Sequence, residues 1–171
     1  MNTEMYMLTE TSEFMMSFVI VTKKNNVIIV DGGRREDMPL LKKYVAGRHV
    51  SAWFLTHAHS DHIDGFVHEM EKNGGADFDI EAIYYNFPDY DELIGVTAVP
   101  DLEYFREELN EMIPAFNAVK NKFAGKARVV KKGDTIIVDE VSIDILYSYT
   151  GGLYANLMND SSLVFKLSGE N

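Results

Sequence analysis

Three of the five histidines in this sequence, with one aspartate, fall within the six residues His57-Ala58-His59-Ser60-Asp61-His62. They follow Ala52-Trp53-Phe54-Leu55-Thr56, which reads as a short buried strand, and precede a helical pattern from Ile63 to about Lys72. Strand, polar loop and helix in that order make a βα unit, so the cluster is expected where a strand of an α/β fold delivers its last residues. In an extended segment alternate residues share a side, which lets His57 and His59 grip one cation. Asp61 and His62, at the turn into the helix, then face a second. Two cations about 3.5–4 Å apart with a shared water make a nucleophile at neutral pH and clamp the attacking and leaving oxygens. The bland alternative is a polar helix-cap loop with Ser60 or Asp61 at the N-cap, in which three clustered imidazoles have no evident use.

The rest of the chain predicts sheets with helices packed outside them. Met5 to Glu10, Phe14 to Thr22 and Val27 to Val30 read as an antiparallel meander, with Asn25-Asn26 as a turn and Asp31-Gly32-Gly33 ending the third strand. Asp37-Met38-Pro39 opens a helix carrying Leu40, Leu41, Tyr44 and Val45 at helical spacing, and Gly47 stops it. A single strand is expected over Ile80 to Tyr85, then a long amphipathic helix from Pro100 to about Phe123, bent at Pro114. Strands over 128–130, 135–138, 141–147 and 163–167 complete the pattern.

Composition narrows the chemistry. With no cysteine, any metal must sit on His, Asp or Glu. A net charge of −11 argues against a general nucleic-acid-binding surface, although a bound divalent metal can reverse the local field and hold an anionic substrate. At 171 residues and 46% hydrophobic content the chain fits a single domain over residues 1–171 with a sizeable core. Its longest apolar runs are strand-length, so no membrane span is expected, and an acidic N-terminal segment without a basic leader predicts a cytoplasmic protein.

Val30-Asp31-Gly32-Gly33 followed by Leu55-Thr56-His57-Ala58-His59-Ser60-Asp61-His62-Ile63-Asp64-Gly65 resembles the first two motifs of the metallo-β-lactamase-fold superfamily of metal-dependent hydrolases. Asn159-Asp160-Ser161-Ser162-Leu163-Val164-Phe165-Lys166-Leu167 is similar to a strand of the branch containing the hydrolase domain of DNA-internalisation competence proteins. The resemblance implies an αββα sandwich and a binuclear centre with His57 and His59 on one metal and Asp61 and His62 on the other. Zinc is the expected metal, with manganese or iron as alternatives. It further implies that Asp61 orients or deprotonates the bridging water and that Asp31 supports a ligand; read from the residues alone, Asp31 equally caps a turn.

Two departures accompany the resemblance. Asp64-Gly65 stands where the family usually has Gly-Gly, and no histidine follows His68, so the family's downstream ligands are missing. The second half of the sandwich is accordingly expected to be incomplete, the chain being truncated at its C-terminus. An open strand at 163–167 would then favour a homodimer or strand exchange.

The implied activity is hydrolysis of a phosphodiester or related anionic ester in a small-molecule or nucleotide-type substrate. A non-catalytic metal-binding or interaction fragment is one alternative, and a β-lactam, thioester or lactone hydrolase is another. Asn159 and Asp160 can border the cleft or simply form a turn. Gly151-Gly152-Leu153-Tyr154 can border it too. Tyr84, Tyr85, Phe87 and Tyr90 read as core ahead of a substrate wall, whereas His49, in a basic loop, and His68 read as solvated.

Overall fold

The computed structural model describes residues 2–9, 14–88, 102–152 and 157–169, with side chains from 110 and 158 onward in the last two stretches. Glu10, Tyr90, Pro100, Leu153 and Tyr154 lie outside the described residues.

The larger sheet begins with the expected antiparallel meander, formed by β1 (Glu4–Met7), β2 (Phe18–Val21) and β3 (Val27–Val30). It then turns parallel through β4 (His49–Leu55), β6 (Ile83–Tyr85) and β7 (Ala127–Val129), and β5 (Asp79–Ile80) pairs with the start of β4. The strand expected over 80–85 is therefore two. Val50 pairs with Ile80 and Trp53 with Ile83, so both pieces keep one register on β4 and only Glu81 and Ala82 interrupt it. A second, antiparallel sheet has the order β10-β9-β8, built from β8 (Thr135–Val138), β9 (Val141–Tyr147) and β10 (Val164–Gly169).

Val27-Ile28-Ile29-Val30 is buried on both faces, as a near-continuous β-branched run in a covered sheet should be. Val27 and Ile29 face a core shared with the helices. Ile28 and Val30 face a core between the two sheets, with Phe54, Ile143, Ile145 and Leu163. The helical layer comprises α1 (Met38–Val45), α2 (Ser60–Asn73) and α3 (Leu102–Phe123), the last containing Pro114. A four-residue helix, α4 (Leu157–Asp160), precedes β10. The described residues thus form three layers, helices on a sheet on a sheet, which is the α/β architecture expected from the sequence without its outer helical layer.

The aromatic cluster splits between these cores. Tyr84 stacks on Phe54 between the sheets at 4.8 Å, whereas Tyr85 and Phe87 pack on Phe116 of α3 at 5.3 and 4.8 Å. His49 lies in β4 rather than a loop, held by Asp79 at 2.8 Å and Glu81 at 3.1 Å. These carboxylates, Asp79 first, raise the pKa of its imidazole above the usual histidine value. No helix among the described residues is long and apolar enough to cross a membrane.

Candidate metal centre

The cluster sits where β3 and β4 end side by side. Asp31, one residue past β3, takes a left-handed conformation (φ 56°), which aspartate tolerates better than most residues. Its amide donates to the Phe54 carbonyl at 2.7 Å, and its own carbonyl accepts from Trp53 Nε1 at 3.1 Å. The backbone is thereby fixed and the carboxylate turns toward β4, where it is 1% exposed.

Three groups donate to that carboxylate. The Thr56 amide reaches Oδ1 at 2.7 Å, while the Thr56 hydroxyl and His62 Nδ1 each reach Oδ2 at 2.7 Å. Asp31 therefore holds His62 and also fastens the end of β4. The sequence drew attention to Asp31 but not to Thr56. Thr56 Oγ1 lies 3.0 Å from His57 Nδ1 and 3.3 Å from His62 Nδ1. Its only signal in the sequence was its place before His57, and a threonine ending a strand is otherwise ordinary β-former chemistry.

The helix begins three residues earlier than the sequence suggests. His59 is the extended N-cap residue (ψ 148°), and Ser60, Asp61 and His62 form the first turn of α2 rather than a loop. An acidic residue there is favoured by the helix dipole. Tertiary bonds hold the turn in place: Gly32 N donates to the His62 carbonyl at 2.7 Å and Met16 N to the Asp61 carbonyl at 3.1 Å. Further along, Arg35 clamps Asp64 through its amide, Nε and Nη2 at 3.0, 3.0 and 2.7 Å.

Within this frame the side chains form two donor pairs. His57 Nε2 faces His59 Nδ1 at 3.0 Å, and His62 Nε2 faces Asp61 Oδ2 at 3.7 Å. The His57 and His62 rings lie 3.9 Å apart, which brings the pairs together. Burial first, then the neighbouring His62 and His59, pushes the His57 imidazole down to about 3. At pH 7 it is neutral and keeps the lone pair a metal ligand needs.

The residues fit a metal in pairs. Two nitrogens bound to one tetrahedral zinc at about 2.0–2.1 Å stand about 3.3 Å apart, close to the His57–His59 separation of 3.0 Å. Among the described residues no group of three or more such side chains is assembled for one ion. Each pair would thus supply two ligands of a shell that takes three or four. Asn159 and Asp160 lie in α4, and their backbone carbonyls accept from Ser162 N and the Tyr147 hydroxyl, both at 3.0 Å. The segment after α4 is fastened to the cluster by Leu163 N donating to the Thr56 carbonyl at 2.9 Å. His68 is farther along α2 and half-buried.

Residues 14–93 match the family model of the metallo-beta-lactamase superfamily. Among solved structures the chain is similar to a metallo-beta-lactamase from Staphylococcus aureus subsp. aureus COL, at 16% identity and a TM-score of 0.56, covering 98% of this chain and 39% of that one. It is also similar to AidC, a dizinc quorum-quenching lactonase, at 20% identity and a TM-score of 0.55, covering 77% and 47%. The chain thus spans less than half the length of either. No curated protein matches it in sequence. At these identities the structural likeness concerns the fold: the described residues share the metallo-beta-lactamase fold of these chains, and the family model matches residues 14–93.

Proposed function

We propose that the chain belongs to a metal-dependent hydrolase in which His57 and His59 hold one divalent cation and Asp61 and His62 a second. Zinc is the best-fitting metal, with manganese or iron as alternatives. The observation that carries this reading is the convergence of the two donor pairs at one strand–helix junction, with His57 buried and neutral. Cations bound there supply Lewis-acid charge and lower the pKa of water toward neutrality. Asp61, less buried than the histidines, is the residue to orient that water or take its proton, while Asp31 keeps the His62 ring in place.

Two ligands per ion leave each shell short, and the similar solved chains are more than twice as long as the part spanned here. The remaining ligands are accordingly assigned to groups outside the described residues. The preferred substrate, a phosphodiester or related anionic ester, rests on the resemblance of residues 159–167 to the competence-protein branch. A lactone, thioester or β-lactam would use the same donors.

A second reading is a non-catalytic metal-binding module that self-associates. It is favoured by β10, whose pairing among the described residues is with β9 alone.

Elemental analysis of protein purified without chelator, with molar mass in solution, tests both. About two equivalents of metal, lost in His59→Ala together with hydrolysis of a phosphodiester ester probe, is the expected result. His59→Ala with undiminished metal and hydrolysis would defeat the metal reading. Bound metal in a stable dimer that leaves phosphodiester, lactone and β-lactam probes intact would favour the second reading.

A further inference from the structure

We infer that Thr56 is a positioning residue of this centre, its hydroxyl setting which ring nitrogen His57 presents to a metal. The inference rests on the proposed metal reading and follows from counting protons. A threonine hydroxyl has one proton, and here it goes to Asp31 Oδ2 at 2.7 Å, since a carboxylate only accepts. Toward the rings Oγ1 is then an acceptor. His57 Nδ1, 3.0 Å away, must carry the hydrogen, which leaves Nε2 as the lone-pair atom.

That nitrogen is the one facing His59 Nδ1. His62 is served differently, because its Nδ1 donates to Asp31 directly at 2.7 Å and lies farther, 3.3 Å, from Thr56 Oγ1. One carboxylate thus orients two imidazoles, one directly and one through a hydroxyl. The hydroxyl is itself held rigidly, because the Thr56 amide binds Asp31 Oδ1 and the Thr56 carbonyl accepts from Leu163 N at 2.9 Å. A β-branched side chain with restricted χ1 suits such a fixed relay.

The consequence is an asymmetry that a purely structural threonine would not produce. Thr56→Val keeps the shape, removes the acceptor of His57 and one donor to Asp31, and leaves His62 its direct bond to Asp31, whereas Thr56→Ser keeps the hydroxyl. The test is nitrogen-15 NMR of the histidine rings in the metal-free 171-residue protein at pH 8, followed by zinc titration against a competing chelator. Wild type and Thr56→Ser are expected to show hydrogen on Nδ1 of both His57 and His62. Thr56→Val should lose that preference at His57 while retaining it at His62. Its zinc affinity should fall by about 10-fold or more, the usual scale for removing a partner of a metal-bound histidine, with Thr56→Ser close to wild type.

Hydrogen on Nε2 of His57 in wild type would overturn the inference whether or not Thr56→Val folds. So would a folded Thr56→Val with unchanged tautomer and zinc affinity. Absence of zinc binding by wild type would instead defeat the metal reading and remove the role assigned here, even if the ring tautomers were as expected.

Discussion

Gly65 offers the sharpest test of how the centre is held. It lies in the second turn of α2, and a Cβ built there would stand 2.5 Å from Met38 Cε and 3.0 Å from the carbonyl oxygens of Arg34 and Gly32. The methionine tip can swing aside, although Met38 is 2% exposed and has little room. The two carbonyls belong to the loop that follows Asp31, and Gly33 O accepts from Gly65 N at 2.9 Å, so they yield only if helix and loop separate. Overpacking of this kind costs about 1–3 kcal/mol, while replacing glycine by alanine inside a helix returns about 1 kcal/mol. With two backbone carbonyls as the obstacle the cost falls in the upper part of that range, about 2–3 kcal/mol, so Gly65→Ala should lose about 1–2 kcal/mol of unfolding free energy. Gly125 is the matched control, because nothing lies within 4 Å of its Cβ position and its backbone is not left-handed. Gly125→Ala should be neutral, or stabilising by up to about 1 kcal/mol. Urea unfolding with chelator present, at unchanged m-value, measures both. A Gly65→Ala midpoint equal to wild type, or to Gly125→Ala, would refute the close approach of α2 to this loop and with it the account of how His62 is fixed beside Asp31.

Two further substitutions separate structural from site effects. Asp31→Asn places an amide where Thr56 Oγ1 and His62 Nδ1 both donate, so it should cost about 2–4 kcal/mol by the same urea assay; a loss below about 0.5 kcal/mol would reduce Asp31 to a turn cap. Burial alone would raise the pKa of Asp64, but the Arg35 bonds and charge outweigh it and hold the carboxyl below the ordinary aspartate value. A depressed carboxylate stabilises the fold above its unfolded pKa and loses that contribution as pH falls through the folded value. Arg35→Met should therefore cost about 1 kcal/mol at pH 7, discounted because the arginine side chain is 52% exposed, and the difference from wild type should vanish as acid titrates Asp64. Stability curves for the two proteins that remain parallel from pH 7 to pH 2 would contradict this pairing.

Where short-range pattern decides, the sequence is a sufficient guide. Val27–Val30 is apolar throughout because both faces of β3 are covered, and Met38–Val45 buries Met38, Leu41 and Val45 at helical spacing. The histidine motif, together with Asp31, is equally local in its signal. What the sequence misplaced depends on partners far along the chain. Ser, Asp and His are weak helix formers, so residues 60–62 read as loop until Gly32 and Met16 pin their carbonyls. The break at Glu81-Ala82 leaves no clear trace in a segment whose two pieces keep one register on β4.

Thr56 marks the deeper limit. A short motif can name which imidazoles stand together, but which nitrogen each presents is decided by a proton count closing through Asp31, 25 residues before Thr56. The chemistry of the cluster therefore depends on the strand order as much as on the motif. Asp31 meets Thr56 because β3 and β4 run parallel as neighbours, and a fold that placed another strand beside β4 would keep all three histidines and lose the means of orienting them.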